Sequence, residues 1–328
     1  MPLAVLSPAK TINEGLVSPP YPLSEPAAAL ADDRAELLDV VRALSKAQLK
    51  ALMGVSDALA DLNARRFADF DAQPAMNAAV AFDGPAHKAL SFATLSADAQ
   101  AYAQAHIVTL SGLYGLLRPR DAIRPYRLEM GTKLRSARGE ALYAFWGGRL
   151  GAELCRWLDA LPPAQRFIVN VASQEYWAAV DKHLQAGVVV YHIQFPGAAV
   201  FAKQARGLFC RFMAETRVFE PAQLAAFAEW SSASGMGFAF RLSASADGPD
   251  GRWLRFERVA AARGGAPSAG RAAPPAAHAR ARAPKVCAAG RAGGTSPTVA
   301  HAASGGKRKA DAGVTDEPPA RRRSARQA

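Results

Sequence analysis

LSGLYGLLRPRDAIRPYRLEMG, residues Leu110–Gly131, carries six charged side chains, four of them Arg, among apolar residues, Pro and Gly. Pro119 and Pro125 fix φ and remove backbone donors, so neither a continuous helix nor a central strand runs through the segment. The pattern predicts a strand over Ile107–Ser111 followed by a long ordered loop that carries guanidinium groups. Arg presents a planar fork of donors matched to phosphate or carboxylate. Two readings stand. Either the loop is pinned by ion pairs, with Asp121 and Glu129 as partners, or its arginines face an anion or a nucleic acid.

Working outward, Asp98–His106 reads as a helix with Ser96 as its N-cap, so a helix leads directly into the strand. The same alternation recurs along the chain. Strand candidates are Leu3–Leu6, Ile107–Leu110, Phe167–Val171, Val188–Ile193, Phe238–Leu242 and Trp253–Glu257. The first four are short apolar runs, as expected when both faces of a sheet are covered. The last two read as an antiparallel pair around Ser243–Arg252, a loop rich in Gly, Asp and Pro. Further helices are expected at Ala27–Leu44, Lys46–Leu52, Trp146–Leu158 and Ala199–Glu215. The class is therefore α/β, one domain over residues 1–261 with a mixed β-sheet flanked by helices.

The chain has 328 residues and a formal charge of +12, unevenly spread. Residues 262–328 hold 13 of the 40 Lys+Arg and 3 of the 28 Asp+Glu, which leaves the body nearly neutral. Nucleic-acid binding by the body must therefore rest on local clustering. The tail Ala262–Ala328 has no Leu, Ile, Phe, Met, Tyr or Trp, too little apolar surface to offset its ordering entropy, and is expected to be disordered. It reads either as a silent extension of a GC-rich gene or as a basic arm for nucleic acid. No stretch approaches the ~20 apolar residues of a membrane span, so no membrane partner is expected. The N-terminus MPLAVLSPAK lacks the features of a signal peptide. Cys155, Cys210 and Cys287 make no disulfide framework, which points to a reducing cytoplasm.

Two predicted strands end in polar turns. Leu3–Leu6 runs into Ser7-Pro8-Ala9-Lys10-Thr11, and Phe167–Val171 into Ala172-Ser173-Gln174-Glu175. Ligands bind beyond such carboxyl ends in open α/β sheets. Ser173 is a natural helix N-cap. Asn170, inside an apolar strand, needs partners for its amide and either orders the loop or touches a ligand. On the helix Ala199–Glu215, Lys203, Arg206 and Arg211 fall opposite Phe201, Leu208, Phe209 and Phe212, predicting one basic face. Cys210 follows Arg206 by four residues, where a cation would favour its thiolate. LKALMGVSDALA, Leu49–Ala60, resembles a helix–hairpin–helix with Ser56 in place of its second glycine; the plain alternative is a helical turn packing Leu49, Leu52 and Leu59 into the core. No His, Cys or carboxylate spacing suggests a metal site, and no cofactor is expected.

Five segments, in order, resemble the YaaA family of peroxide-stress proteins: SPAKT (Ser7–Thr11), LSGLYGLLRP (Leu110–Pro119), PYRLEMG (Pro125–Gly131), NVASQEY (Asn170–Tyr176) and AKQARGLFCRF (Ala202–Phe212). The resemblance runs from about Pro2 to about Val259. It implies a cytoplasmic bacterial protein that limits peroxide damage from unincorporated iron, and a single α/β fold with a positively charged cleft for which DNA binding has been proposed. Carried onto this chain, the expected contacts to DNA or a phosphate-bearing ligand are Ser7, Lys10, Thr11, Arg118, Tyr126, Arg127, Asn170, Ser173, Lys203, Arg206 and Arg211. The alternative is an enzyme in which Ser7, Lys10, Arg118, Asn170 and Glu175 act on a small phosphorylated or carboxylated substrate. Oligomeric state is not legible.

Overall fold

A computed structural model describes residues 2–259 apart from 14, 16, 17, 234–238, 249 and 250. The predicted tail, 262–328, and Phe238 lie outside the described residues. The apolar runs form the centre of a seven-stranded sheet. The strands are β1 (Leu3–Leu6), β2 (Met76–Asn77), β3 (Ile107–Ser111), β4 (Gly115–Leu117), β5 (Ala122–Ile123), β6 (Phe167–Asn170), β7 (Val189–Gln194), β8 (Ala239–Gly248) and β9 (Gly251–Val259). The sheet order is β4-β3-β1-β6-β7-β9-β8, while β2 and β5 pair separately. The five inner strands run parallel, and β4 and β8 are antiparallel at the edges. The chain is thus an α/β protein with a mixed sheet, as its alternating pattern predicts.

Both sheet faces are covered. Leu3 and Val5 enter one apolar cluster, and Ala4 and Leu6 enter the other. Alternation of apolar and polar residues is absent from β1 because neither face meets water. The first cluster takes Leu37, Leu49, Phe67, Trp146 and Leu154 from helices Ala31–Arg42, Lys46–Met53, Asp57–Ala68, Leu142–Trp146 and Arg149–Asp159. The second takes Leu90, Tyr102, Phe209 and Phe227 from helices Pro85–Leu90, Ala97–His106, Ala199–Thr216 and Phe227–Ala233. Gly207 brings two of these together: a Cβ there would stand 1.9 Å from the Ala86 carbonyl oxygen.

Several boundaries differ from expectation. Trp146–Leu158 is two helices, broken at Gly147, whose φ of 46° ends the first. Strands β8 and β9 run well past the predicted pair, because the exposed Ser and Ala of β8 give no alternating signal. The Arg-rich loop contains two short strands, β4 and β5. Ser96 caps the helix Ala97–His106 as predicted, its Oγ accepting from Ala99 N–H at 3.3 Å.

The connectivity matters most for function. From β1 the chain reaches its neighbour β3, whereas from β6 it reaches β7 on the far side. β1 and β6 are adjacent and parallel, so a crevice opens where their carboxyl ends diverge. Open α/β sheets bind ligands at such a point.

Candidate functional site

Ser7 leaves β1 and Ser173 follows β6, and they meet across the crevice. Ser7 Oγ accepts from Ser173 N–H at 2.8 Å and donates to Ser173 Oγ at 3.2 Å. Ser173 precedes the short helix Gln174–Trp177 but its side chain does not cap it; the hydroxyl is turned to Ser7 instead. Asn170 closes β6. Its Oδ1 accepts from Ala172 N–H at 2.9 Å, which turns the amide nitrogen toward His192 Nδ1 at 3.0 Å. The amide and the ring are thereby joined across β6 and β7.

On one side of the Ser7–Ser173 contact lies an open cavity of about 620 Å³, lined by Lys10, Gly54, Arg127, Glu129, Lys133 and Glu175 among others. Lys10 Nζ lies 2.5 Å from Glu129 Oε2, and Arg127 Nη2 lies 2.9 Å from Glu129 Oε1. Burial pushes the Glu129 carboxyl up, but hydrogen bonds and charge from Lys10 and Arg127 outweigh it and hold the group below the usual range. Glu175 Oε1 accepts from Gly131 N–H at 3.0 Å. Gly112 permits this loop to close on its own start, since a Cβ there would stand 2.2 Å from the Leu128 carbonyl oxygen. The internal pinning expected of the loop is therefore present at Arg127–Glu129. The helices Lys46–Met53 and Asp57–Ala68 meet this cavity through a left-handed Gly54, φ 59°, and Ser56 caps the second of them. Leu49 is buried but Leu59 is exposed, so only part of the expected core packing forms.

On the other side, beyond β6 and β7, lies a cavity of about 550 Å³. Gln174, Asp181, Gln194, Arg206 and Trp253 line it. His192 stacks on Trp253 with centroids 4.2 Å apart and meets the Trp177 ring edge-on. Trp177 Nε1–H donates to Asp181 Oδ1 at 2.8 Å. Burial pulls the Arg206 guanidinium below its ordinary value, with no carboxylate offsetting it.

The remaining expected contacts go elsewhere. β4 runs antiparallel to β3, so Arg118 returns to the amino end of the sheet. There Nη1 donates to the carbonyls of Gln104 at 3.0 Å and Ala105 at 2.6 Å, and the guanidinium lies 4.2 Å from the Trp157 ring centroid. Arg118 closes a helix end and does not join Lys10, and the five residues of the enzyme alternative do not converge. Tyr126 is buried, its hydroxyl 2.5 Å from Ser111 Oγ. Thr11 is exposed, and its carbonyl accepts from Asp83 N–H at 2.9 Å. The basic face of helix Ala199–Thr216 does not exist as one surface. Lys203 is exposed, Arg206 faces the second cavity, and Arg211 pairs with Glu215 at 2.7 Å and donates to Thr94 Oγ1 at 2.7 Å. Cys210 is fully buried, and burial pushes its thiol up to about 12, the opposite of a reactive cysteine. Among the described residues no group of three or more His, Cys, Asp or Glu is placed to hold a metal ion.

His192, Trp253 and Asp181 escaped the sequence reading. The one signal was the buried amide of Asn170, whose partner sits directly across on β7. That pairing is invisible without the register.

The family model described as peroxide stress protein YaaA matches residues 3–235. This chain belongs to the YaaA peroxide stress family. Its YaaA-matched span includes Lys10, Arg127, Lys133 and Arg206 of the two cavities, while Trp253 and Arg255 of the second lie beyond it. A UPF0246 protein of Burkholderia vietnamiensis is 41% identical over 256 residues, covering 75% of this chain and 95% of the relative. A UPF0246 protein of Burkholderia ambifaria is 42% identical over 237 residues, covering 69% and 90%. Among the described residues of this YaaA-family chain, no helix is long and apolar enough to cross a membrane.

Proposed function

We propose that this chain protects the cytoplasm against peroxide by limiting damage from unincorporated iron, and that it does so bound to DNA or another phosphate-bearing ligand. Family membership supports the peroxide-stress role; the iron and cytoplasmic parts rest on the resemblance alone. The second half rests on one observation: Lys10, Arg127 and Lys133 face a single open cavity at the diverging ends of β1 and β6, beside Gly54 in the turn between two helices. A sugar–phosphate backbone supplies a row of anions that such cations neutralise. The Lys10 side chain is 58% exposed, so it is free to leave Glu129 for a phosphate. Glu129 and Glu175 temper the charge of the cavity, so few phosphates are contacted and binding is salt-sensitive.

The test is fluorescence anisotropy of a labelled DNA duplex over a series of salt concentrations. The chain ending at Ala261 is measured beside the full chain, because the tail adds 13 cations of its own. Lys10→Ala combined with Lys133→Ala is expected to reduce the slope of log K against log salt by about 2. The same pair is expected to lose protection in a peroxide-killing assay of a complemented deletion strain. Unchanged slope and affinity in the double variant overturns the reading.

A further inference from the structure

The second cavity holds a cation that makes no ion pair among the described residues, Arg206. Six arginines have a side-chain nitrogen shut off from solvent and without an acceptor: Arg34, Arg66, Arg120, Arg127, Arg206 and Arg211. Five of them are held in another way. Arg127 and Arg211 pair with Glu129 and Glu215. Arg34 and Arg120 lie over the rings of Tyr114 and Tyr21. Arg66 donates to Asn63 Oδ1. Arg206 alone has no carboxylate, acceptor or ring among the described residues, although its guanidinium is half-buried. An uncompensated charge in such a place lowers stability, and folds tolerate it where a ligand completes it.

The walls around Arg206 are those of a small-molecule site. About 550 Å³ lies within the range that holds a metabolite-sized ligand. Trp253 presents an indole stacked on His192, whose ring is fixed by Asn170. Gln174 and Gln194 bring amides, and Asp181 brings an acceptor already anchored by the Trp177 indole. The other cation on this wall, Arg255, has a carboxylate 3.4 Å away, Glu257, which it shares with Arg241. Arg206 is the cation of this wall without an ion pair among the described residues, set against an aromatic surface; the one carboxylate on the wall, Asp181, is held by the Trp177 indole.

We propose that this cavity is a separate site for a small organic anion, with a phosphate or carboxylate on Arg206 and an apolar or flat portion against Trp253. The site uses none of Lys10, Arg127 or Lys133 and is independent of the DNA reading. The aromatic wall argues for an organic ligand over a bare inorganic ion. A planar guanidinium takes either oxyanion in two-point contact.

The experiment titrates the full chain with phenyl phosphate, benzoate and inorganic phosphate, reading tryptophan fluorescence and calorimetric heat. Phenyl phosphate or benzoate is expected to bind and to perturb the fluorescence, more tightly than inorganic phosphate; which of the two binds assigns the head group. Arg206→Met is expected to weaken that binding by roughly thirtyfold or more. Arg206→Lys keeps the charge but not the fork and falls between. The thermal midpoint of Arg206→Met without probe is expected to stay level or rise, since an unpaired charge is removed. Duplex binding is expected to survive Arg206→Met, while Lys10→Ala with Lys133→Ala leaves the organic-anion affinity unchanged. The proposal is overturned if neither organic anion binds at millimolar concentration, if Arg206→Met binds them as the parent does, or if Arg206→Met lowers the midpoint sharply, which would make Arg206 a structural residue.

Discussion

The two flanks of the Ser7–Ser173 contact treat charge in opposite ways. On the Lys10 flank two cations share one carboxylate, Glu129, so both are paired and one positive charge is left over. On the Arg206 flank a half-buried guanidinium is left without a counter-ion among the described residues. The first arrangement is stable alone and exchanges partners at its exposed end. The second is incomplete until something negative arrives. Sequence spacing explains part of this: Arg206 and Arg211 share a helix, but Arg211 has Glu215 one turn on where Arg206 has Cys210.

The largest expected effect tests the hub that both flanks share. His87 Nε2 lies 3.2 Å from the Ser7 carbonyl oxygen, and burial pulls the ring down to about 4, against which that hydrogen bond works. A histidine depressed in the fold is neutral there and gains its proton more readily on unfolding. Its contribution is therefore complete above about pH 6.5 and lost as pH falls toward about 4, amounting to roughly 3 kcal/mol. Buried His106, also drawn down to about 4, acts in the same direction. Asp121, raised to about 6 by burial, acts oppositely, gaining stability as pH falls from about 6 to about 4, and offsets part of the loss. Urea unfolding between about pH 7 and about pH 5 is expected to show falling stability, with a flatter slope in His87→Gln. An unchanged slope in that variant would mean the hub does not titrate.

Next in size is the Lys10 flank. Glu129→Gln leaves Arg127, whose side chain is 19% exposed, without its carboxylate. Loss of one partner of a mostly buried pair is expected to reduce stability by about 2 kcal/mol, below the fully buried case because Lys10 is solvated. The same change frees two cations, so duplex binding is expected to tighten. Stability lost without tighter binding would mean that these cations only order the loop. Set beside the expected behaviour of Arg206→Met, the two substitutions move stability in opposite directions, which is the sharpest form of the contrast between the flanks.

The smallest effect concerns the contact itself. Ser173→Ala removes the 3.2 Å hydroxyl bond but keeps Ser173 N–H on Ser7 Oγ at 2.8 Å. A loss of about 0.5–1 kcal/mol is expected in denaturant unfolding. A much larger loss would show that the hydroxyl pair, and not the backbone donor, holds β1 and β6 together at their ends.

The class of fold was legible because it depends on local patterns. Four short apolar runs, separated by helical stretches, require a sheet covered on both faces, and the two prolines of the Arg-rich loop rule out one continuous regular element through it. The exposed half of the β8–β9 hairpin was not legible, since Ser and Ala facing water carry no periodic signal. For the candidate site, the two polar turns after β1 and β6 were legible from position alone: a strand that ends in Ser or Lys at the carboxyl edge of a parallel sheet faces the crevice. Glu129 was legible as a loop partner because it follows Arg127 by two residues.

What the amino-acid sequence determined by itself was the α/β class, the turns that reach the crevice and the family to which the chain belongs. What the tertiary structure alone decided was where each cation points. Arg118 turns to the far end of the sheet because β4 reverses direction; Cys210 is sealed because the helix carrying it is packed on more than one side; Arg206 stands unpaired because no carboxylate of the neighbouring elements reaches it. Apolar periodicity is a property of adjacent residues and survives in one dimension. The balance of a charge depends on what lies within a few ångströms in space, and those neighbours are sometimes a turn away, as Glu215 is from Arg211, and sometimes over a hundred residues away, as Glu129 is from Lys10.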